Sequence, residues 1–253
     1  RWLSDWSSDV CSSDLPSAVG GGFGGKLDLS LQPMLAVAAW ILDRPVRCVY
    51  TRPESMASTT KRHPAKITAS VGASRDGRLV GVRFHGDFNT GAYASWGPTV
   101  ANRVPVHAMG PYRVTAVRCT TRAVYTNDTP AGAFRGFGVP QAAIAVETLI
   151  DIAAERLGID PLEFRLKNAL EKGSVTASGQ KLEHSVGLRA CLEALRPTWQ
   201  RQRREVEAFN RTSRHLRRGV GVACGWYGIG NTSLSNPSRS EEHTSELQSL
   251  SHL

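Results

Sequence analysis

Gly20-Gly21-Gly22-Phe23-Gly24-Gly25-Lys26 is the stretch on which the interpretation of this chain depends. Five glycines surround one aromatic residue. Because glycine has no Cβ, the backbone N–H groups of such a loop approach a ligand closely, and positive φ angles cost little. Successive exposed N–H groups also form a concave site for anions. A flexible turn has the same composition, so this loop alone leaves both interpretations open.

A second loop of similar character lies at residues 131–138, which read AGAFRGFG. It combines three glycines with two phenylalanines and one arginine. Two such loops in one chain favour a shared ligand site over two unrelated turns.

Both ends of the chain carry sequence that we interpret as foreign. Residues 5–15 read DWSSDVCSSDL, and residues 239–249 read RSEEHTSELQS. The two strings are in-frame translations of one nucleotide sequence and of its reverse complement, and that sequence looks like a common sequencing-library adapter. We therefore expect residues 1–15 and 239–253 to be adapter-derived and residues 16–238 to be a partial domain.

The charge balance and the cysteines restrict the class of protein. Without the two ends, 29 basic and 16 acidic residues remain, a net charge of +13. A basic docking face explains this charge better than nucleic-acid binding, because no nucleic-acid-binding motif is present. No apolar run is long enough to span a bilayer. We expect a cytoplasmic protein, although export stays open because the native N-terminus is absent.

The remaining cysteines and histidines do not predict a metal site. The cysteines are widely spaced and lack a C-x-x-C pattern, so we expect buried, reduced side chains. The histidines stand alone in the sequence, and we interpret them as structural or surface residues. These residues are Cys48, Cys119, Cys191, Cys224, His63, His85, His107, His184 and His215.

The order of predicted elements indicates an α+β fold with a mixed sheet and helices. Residues 87–98 are expected to form a loop. The acidic side chains of Glu147, Asp151 and Glu155 are spaced one helical turn apart, and we expect them to form a solvated face. A hairpin turn is predicted at 75–78. We predict helices at 33–42, 140–157, 161–170 and 188–209, with a break at Pro197, and strands at 47–51, 66–73, 79–88, 112–126 and 220–226.

The two loops together closely resemble the molybdopterin-binding subunit of the xanthine dehydrogenase and aldehyde oxidase family. Four shorter segments support the resemblance, which covers nearly all of residues 16–238. They are Thr51-Arg52-Pro53-Glu54, Lys61-Arg62-His63-Pro64, Thr90-Gly91-Ala92-Tyr93, and Asp160-Pro161 with Arg165, Lys167 and Asn168.

The resemblance implies a fold, a reaction and a set of partners. Members of this family use a molybdenum–molybdopterin cofactor to hydroxylate a carbon of an N-heterocycle or an aldehyde, with water as the oxygen source. The cytosine dinucleotide form of the cofactor is one option. Electrons leave through [2Fe–2S] clusters to FAD on other subunits or domains, so we expect a hetero-oligomer with an FAD-binding subunit and a [2Fe–2S] subunit.

The resemblance also implies roles for individual residues. Gly22, Phe23 and Gly24 match the loop whose backbone faces the cofactor, and Arg135 matches the second cofactor-contacting position. Phe137 matches an aromatic residue that packs on a flat substrate, which dispersion and quadrupole contacts make physically reasonable. No residue is expected to ligate the metal directly.

Two further residues bear on the substrate. Arg103 aligns with a substrate-side arginine of purine-oxidising members, where a guanidinium stabilises developing negative charge and so acts as a catalytic group. A surface arginine is the alternative. Leu27 replaces the glutamate of those members, and a buried purine would then leave polar atoms unpaired at about 1–3 kcal/mol each. Purines are therefore disfavoured relative to less polar heteroaromatics or aldehydes.

Family members activate the nucleophile with a downstream glutamate that matches no carboxylate in residues 16–238. We expect the chain as given to be inactive and to hold no cofactor stably. Two other functions stay open at this point. One is a phosphate- or nucleotide-binding module, although Leu27 stands where such a loop needs Ser or Thr. The other is a basic nucleic-acid-binding protein, whose binding would depend steeply on salt.

Overall fold

A computed structural model of the protein describes residues 21–25 and 27–227. The residues outside this description are Lys26, residues 16–20 with Gly20 of the first loop, residues 228–238, and both proposed adapter-derived ends. Within the described residues the chain forms α1 (Gln32–Leu42), α2 (Arg52–Ser58), β1 (Ala65–Ala73), β2 (Leu79–Gly91), α3 (Gly97–His107), β3 (Ala116–Tyr125), α4 (Val139–Leu157), α5 (Pro161–Asn168) and α6 (Leu188–Thr212).

The described strands form one mixed sheet in the order β1-β2-β3, which confirms the predicted α+β class. The strands β1 and β2 are antiparallel and joined by a tight turn, where the Gly77 N–H donates to the Ser74 carbonyl at 2.8 Å. The strands β2 and β3 are parallel. Because parallel neighbours need a crossover, the chain between them passes over the sheet as α3.

The sequence prediction missed α3. It treated residues 87–98 as a loop, but β2 continues to Gly91 and α3 begins at Gly97. Two prolines, Pro98 and Pro105, lower the helix propensity of this segment. Burial of Val100 and Val104 against the rest of the fold stabilises the helix instead.

Other predicted elements also need correction. Residues 47–51 form no strand and are mostly exposed, and residues 220–226 form no strand either. The region around Pro197 is part of one continuous helix, because α6 runs unbroken through it. Two of the four cysteines, Cys48 and Cys191, are exposed rather than buried.

Two apolar clusters hold the described part of the fold together. One lies between the sheet and the helices α3 and α4, and contains Phe84, Phe88, Ala101, Val104, Ala108 and Ala142. The other packs α4, α5 and α6 with the segment before β3. It contains Leu79, Tyr112, Val146, Ile150, Ala154, Leu162, Phe164, Leu166, Ala169, Leu192, Trp199, Val222 and Cys224.

Glu147 was predicted to lie on a solvated face, and this is wrong. Its carboxylate is buried and accepts a hydrogen bond from the Tyr112 hydroxyl at 2.6 Å and from Arg165 Nη2 at 2.8 Å. The backbone N–H of Cys224 donates to the same carboxylate at 3.0 Å. Asp151 and Glu155, in contrast, are exposed as predicted. Spacing alone could not distinguish Glu147, because its partners come from distant segments.

Candidate cofactor-binding site

The first glycine-rich loop has the backbone conformation that its composition predicts. Phe23 has φ of 51° and Gly24 has φ of 79°, so two consecutive residues lie in the left-handed region. The Phe23 ring is about half exposed, at 49%. A Cβ added to Gly22 or Gly25 would meet nothing within 4 Å, so this side of the loop faces open space. A cofactor can approach the backbone closely there.

The structure brings the two predicted cofactor loops into direct contact. The backbone N–H of Arg135 donates to the Phe23 carbonyl at 2.9 Å. A Cβ on Gly24 would lie 3.0 Å from both the carbonyl carbon and oxygen of Ala133, so any side chain at this position would push the Ala133 backbone away. The Arg135 guanidinium lies 5.8 Å from the centre of the Phe23 ring. Phe23, Gly24 and Arg135 therefore form one surface.

The segment at residues 61–63 packs against the second loop and is hydrogen-bonded to it. The Lys61 N–H donates to the Pro130 carbonyl at 3.3 Å, and the Gly132 N–H donates back to the Lys61 carbonyl at 3.0 Å. Arg62 Nη2 donates to the Arg135 carbonyl at 2.5 Å. The sequence prediction used this segment only as a matching motif, without assigning it a position.

Residues 90–95 also converge on the site. The Ala131 N–H donates to the Thr90 carbonyl at 2.9 Å, at the start of the second loop. The Ser95 hydroxyl donates to the Asp28 carboxylate at 2.8 Å, just after the first loop. A Cβ on Gly132 would lie 2.5 Å from an Asp28 oxygen. The two loops are thus joined a second time, through side chains that the sequence prediction did not single out.

Phe137, the predicted substrate-packing residue, follows Arg135 in a strained turn. Its φ is 44°, and its N–H donates to the Phe134 carbonyl at 2.7 Å. The ring meets Trp96 edge to face, with centroids 6.1 Å apart and planes at 64°. Trp96 immediately precedes α3, the helix that the sequence prediction missed. An aromatic pair of this geometry holds Phe137 in one orientation.

Arg103 lies on α3 and is buried, whereas Phe23 and Arg135 of the two loops are exposed. It is only 5% exposed, and its guanidinium lies 4.5 Å from the centre of the Tyr227 ring. His107, one turn later, stacks on the same ring at 5.8 Å and meets Trp226 at 5.3 Å. Burial is the main cause that lowers the pKa of His107. The alternative of a surface arginine is therefore wrong.

Leu27 is half-buried, and its N–H donates to the Gly24 carbonyl at 3.4 Å, which closes the turn of the first loop. Leu27, the predicted substrate-binding residue, thus lies three positions after Gly24, which contacts the second loop. The Leu27 side chain is apolar and uncharged, unlike the glutamate that the resemblance places here in purine-oxidising enzymes.

His63 is buried beside the second loop, with 3% of its surface exposed. Burial, and next the charge of Arg62, lowers the pKa of His63 to about 4. The Gln141 amide donates to the His63 carbonyl at 3.1 Å, which ties this segment to α4. At neutral pH the His63 imidazole is therefore uncharged. Arg62 and Arg135 supply positive charge next to the second loop.

No described helix is both long and apolar enough to cross a bilayer. Within residues 21–25 and 27–227, no group of three or more His, Cys, Asp or Glu side chains is arranged to hold a metal ion.

Comparison with known families gives one match that covers most of the chain. A family model described as the molybdopterin cofactor-binding domain matches residues 15–169. This range includes both loops and the three strands of the described residues.

Similar curated proteins carry related names. The large molybdopterin subunit of nicotinate dehydrogenase from Eubacterium barkeri is 47% identical over 182 residues, covering 72% of this chain and 43% of that protein. A putative xanthine dehydrogenase molybdenum-binding subunit from Escherichia coli K12 is 40% identical over 220 residues, covering 87% of this chain and 29% of that protein. The chain therefore spans less than half the length of these relatives.

Solved structures share the fold. The aldehyde oxidoreductase from Desulfovibrio gigas superposes with a TM-score of 0.70 at 33% identity, covering 78% of this chain and 21% of that one. Quinoline 2-oxidoreductase from Pseudomonas putida 86 superposes with a TM-score of 0.66 at 32% identity, covering 76% of this chain and 26% of that one.

Proposed function

Because the chain belongs to the molybdopterin cofactor-binding domain family, we propose that it is part of the large subunit of a molybdenum hydroxylase. The proposed reaction is the oxidation of a carbon in an N-heteroaromatic compound or an aldehyde. The observation that carries the proposal is the direct contact of the two glycine-rich loops, in which the Arg135 N–H bonds to the Phe23 carbonyl at 2.9 Å.

The residues at this contact fit a phosphate-bearing pterin. The backbone beside Gly22 and Gly25 is open to close approach, and Arg135 adds a cation that pairs well with phosphate. Phe23 supplies a half-exposed flat ring beside this cation. We propose that Gly22, Phe23, Gly24 and Arg135 hold the cofactor. When bound, the cofactor would supply the redox chemistry at the substrate carbon.

The chain's own residues would bind and orient the substrate. The Phe137 ring, held by Trp96, offers a flat apolar surface to a planar ring. Arg103 is a buried cation, which would pair with a carboxylate or stabilise negative charge that develops on the ring. Leu27 adds an apolar wall that cannot hydrogen-bond a purine edge.

We propose a heteroaromatic ring that carries a carboxylate or carbonyl as the preferred substrate. The similarity to the nicotinate dehydrogenase subunit supports this choice, as do the burial of Arg103 and the presence of leucine rather than glutamate at position 27. The xanthine dehydrogenase subunit shares a lower percentage of identical residues with this chain than the nicotinate dehydrogenase subunit does, although the match covers more of the chain.

We also propose that the complete enzyme is a cytoplasmic hetero-oligomer. Its partners would be an FAD-binding subunit and a [2Fe–2S] subunit, and its cofactor could be the cytosine dinucleotide form. The names of the relatives, which are subunits of larger enzymes, support this assembly.

The alternative of a phosphate- or nucleotide-binding module built on the first loop is not favoured. That motif requires a helix directly after the lysine and its following Ser or Thr. Here α1 begins at Gln32, beyond Leu27 and four further residues. Nucleic-acid binding has no comparable support from the matched family.

Substrate assays on the intact enzyme, with its partner subunits, test the proposal. Nicotinate, hypoxanthine and an aromatic aldehyde would be compared by kcat/KM. We expect nicotinate-like turnover to exceed hypoxanthine turnover, and preferred turnover of hypoxanthine would refute the substrate assignment. The function itself would be refuted if the purified intact enzyme contained no molybdenum and turned over none of the three substrates.

One matched pair of variants and one further substitution sharpen this test. Leu27→Glu should raise hypoxanthine turnover, whereas Leu29→Glu, at an exposed position, should not. Arg103→Met should lower turnover of the carboxylate substrate by roughly 10–100-fold, since a charge-assisted hydrogen bond contributes about 1.5–3 kcal/mol. The same variant should affect the aldehyde less.

A further inference from the structure

The cofactor-contacting loop around Arg135 is held by a residue outside both glycine-rich loops. Arg62 lies in the segment between α2 and β1, and is separated from Arg135 by 73 positions in the chain. Its guanidinium makes two contacts with the loop. Nη2 donates to the Arg135 carbonyl at 2.5 Å, and the guanidinium carbon lies 4.7 Å from the centre of the Phe134 ring.

These contacts complete the fixation of Arg135. Its N–H is bonded to the Phe23 carbonyl at 2.9 Å, and its C=O accepts from Arg62. Both backbone polar groups of this one residue are therefore held by other segments of the chain. The side chain of Arg135 then extends from a backbone that cannot rotate without breaking at least one of these bonds.

Arg62 is itself held on both sides. The preceding residue, Lys61, exchanges backbone hydrogen bonds with Pro130 and Gly132 of the second loop. The carbonyl of the following residue, His63, accepts from the buried Gln141 amide at 3.1 Å. The base of the Arg62 side chain is thus fixed relative to both the loop and α4. A long, flexible side chain loses less entropy on forming its contacts when its backbone is already fixed.

We propose that Arg62 is a positioning residue, which acts through Arg135 to hold the cofactor-binding surface in its binding conformation. This inference rests on the proposed function for the identity of the ligand. The clamp itself, Arg62 on the Arg135 carbonyl and the Phe134 ring, is independent of that identity. Lysine would replace arginine only in part, because an ammonium can donate to the carbonyl but lacks the planar face that packs on the Phe134 ring.

Hydrogen–deuterium exchange on the full chain tests the clamp without any cofactor. We expect Arg62→Met to speed exchange of the Arg135 amide by about tenfold or more, since that N–H is protected only while the loop stays in place. Exchange in β2 should remain unchanged, because the substitution does not touch the sheet. The Arg62→Lys variant should give an intermediate rate. Arg118→Met, which removes an exposed arginine from β3, is the matched control and should leave the Arg135 amide as in the wild type.

Molybdenum content tests the consequence in the intact enzyme. We expect Arg62→Met to retain about tenfold less metal than the wild type after purification, as is common when a supporting residue behind a metal site is removed. Wild-type exchange at Arg135 in Arg62→Met would overturn the proposal, and so would equal acceleration across β2, which would indicate general destabilisation. Faster exchange together with wild-type metal content would overturn the role in cofactor binding. A wild-type enzyme without molybdenum would refute the proposed function, while the exchange result would still decide whether the clamp exists.

Discussion

At the scale of single residues, the site depends on a glycine that no other residue can replace without strain. Gly24 has φ of 79°, and its α-carbon lies so close to Ala133 that an added Cβ would be 3.0 Å from the backbone there. Gly22, two positions earlier, has neither constraint. The two glycines therefore look alike in the sequence but have different physical roles.

We predict that Gly24→Ala destabilises the chain by about 1–3 kcal/mol, because a left-handed backbone and a backbone clash both oppose the Cβ. Gly22→Ala, the matched control, should be neutral or stabilising by up to about 1 kcal/mol, since it only reduces the freedom of the unfolded chain. Urea unfolding followed by circular dichroism measures both. Equal midpoints for the two variants would contradict the assigned role of Gly24.

At the scale of elements, one buried carboxylate joins four segments. Glu147 on α4 accepts from Tyr112 before β3, from Arg165 on α5, and from the Cys224 backbone near the end of the described chain. The Arg165 side chain is fully buried, and Asp151 binds its other nitrogen at 2.7 Å. Burial, followed by the charge of Glu147, raises the pKa of Tyr112, so its hydroxyl stays a donor throughout the physiological range.

We predict that Glu147→Gln lowers the free energy of unfolding by about 3–5 kcal/mol, because it leaves much of a buried guanidinium charge without compensation. Glu155→Gln, on the exposed face of the same helix, should change it by no more than about 0.5 kcal/mol.

Tyr112→Phe removes one hydrogen bond from the same carboxylate and should cost about 1 kcal/mol, which keeps the test informative if Glu147→Gln does not fold. Urea titrations at neutral pH provide the three values. A loss at Glu147 no larger than that at Glu155 would show that the buried network does not stabilise the fold.

At the scale of the whole molecule, the buried His63 couples stability to pH. Its folded-state pKa is about 4, below the ordinary value of 6.5. Between these values the unfolded chain binds a proton that the folded chain excludes. The stability contributed by the neutral imidazole is therefore complete above pH 6.5 and is lost as the pH falls toward 4.

We predict that the free energy of unfolding of the wild type falls by up to about 1.4 kcal/mol for each pH unit below 6.5, in excess of the fall seen in His63→Gln. The comparison of slopes removes the contributions of the other titrating groups, which include His107, whose pKa is also lowered by burial. Urea unfolding at pH 7, 6, 5 and 4 gives both slopes. Parallel curves for the two proteins would show that His63 does not titrate as proposed.

The whole molecule also presents an unusual surface at α1. No residue of this helix is buried, although it carries Met34, Val37, Trp40, Ile41 and Leu42. A helix that is apolar on most sides is normally covered. The relatives are more than twice as long as the matched part of this chain, so they contain much polypeptide that has no counterpart here.

Sequence reasoning worked where the signal was local. The strands β1 and β2 and the hairpin turn between them were predicted because each depends on neighbours in the chain. The two glycine-rich loops were recognised for the same reason, since glycine content and motif order are visible without a structure. These features were sufficient to predict the family, which the match to residues 15–169 confirms.

Sequence reasoning failed where distant segments decide the outcome. The helix α3 contains two prolines and forms because burial of Val100 and Val104 outweighs poor propensity. Glu147 resembled Asp151 and Glu155 in spacing, but only Glu147 faces Tyr112 and Arg165.

The amino-acid sequence by itself determined which residues are able to form a cofactor surface, because glycine, phenylalanine and arginine carry the required conformational freedom and chemistry wherever they lie. Only the tertiary structure decided how they meet. It placed the Arg135 amide on the Phe23 carbonyl, Trp96 against Phe137, and Arg62 beneath the Arg135 loop. The physical reason is that hydrogen bonds and ring contacts act over a few ångströms in space, whereas these partners are separated by about 40 to 110 positions along the chain.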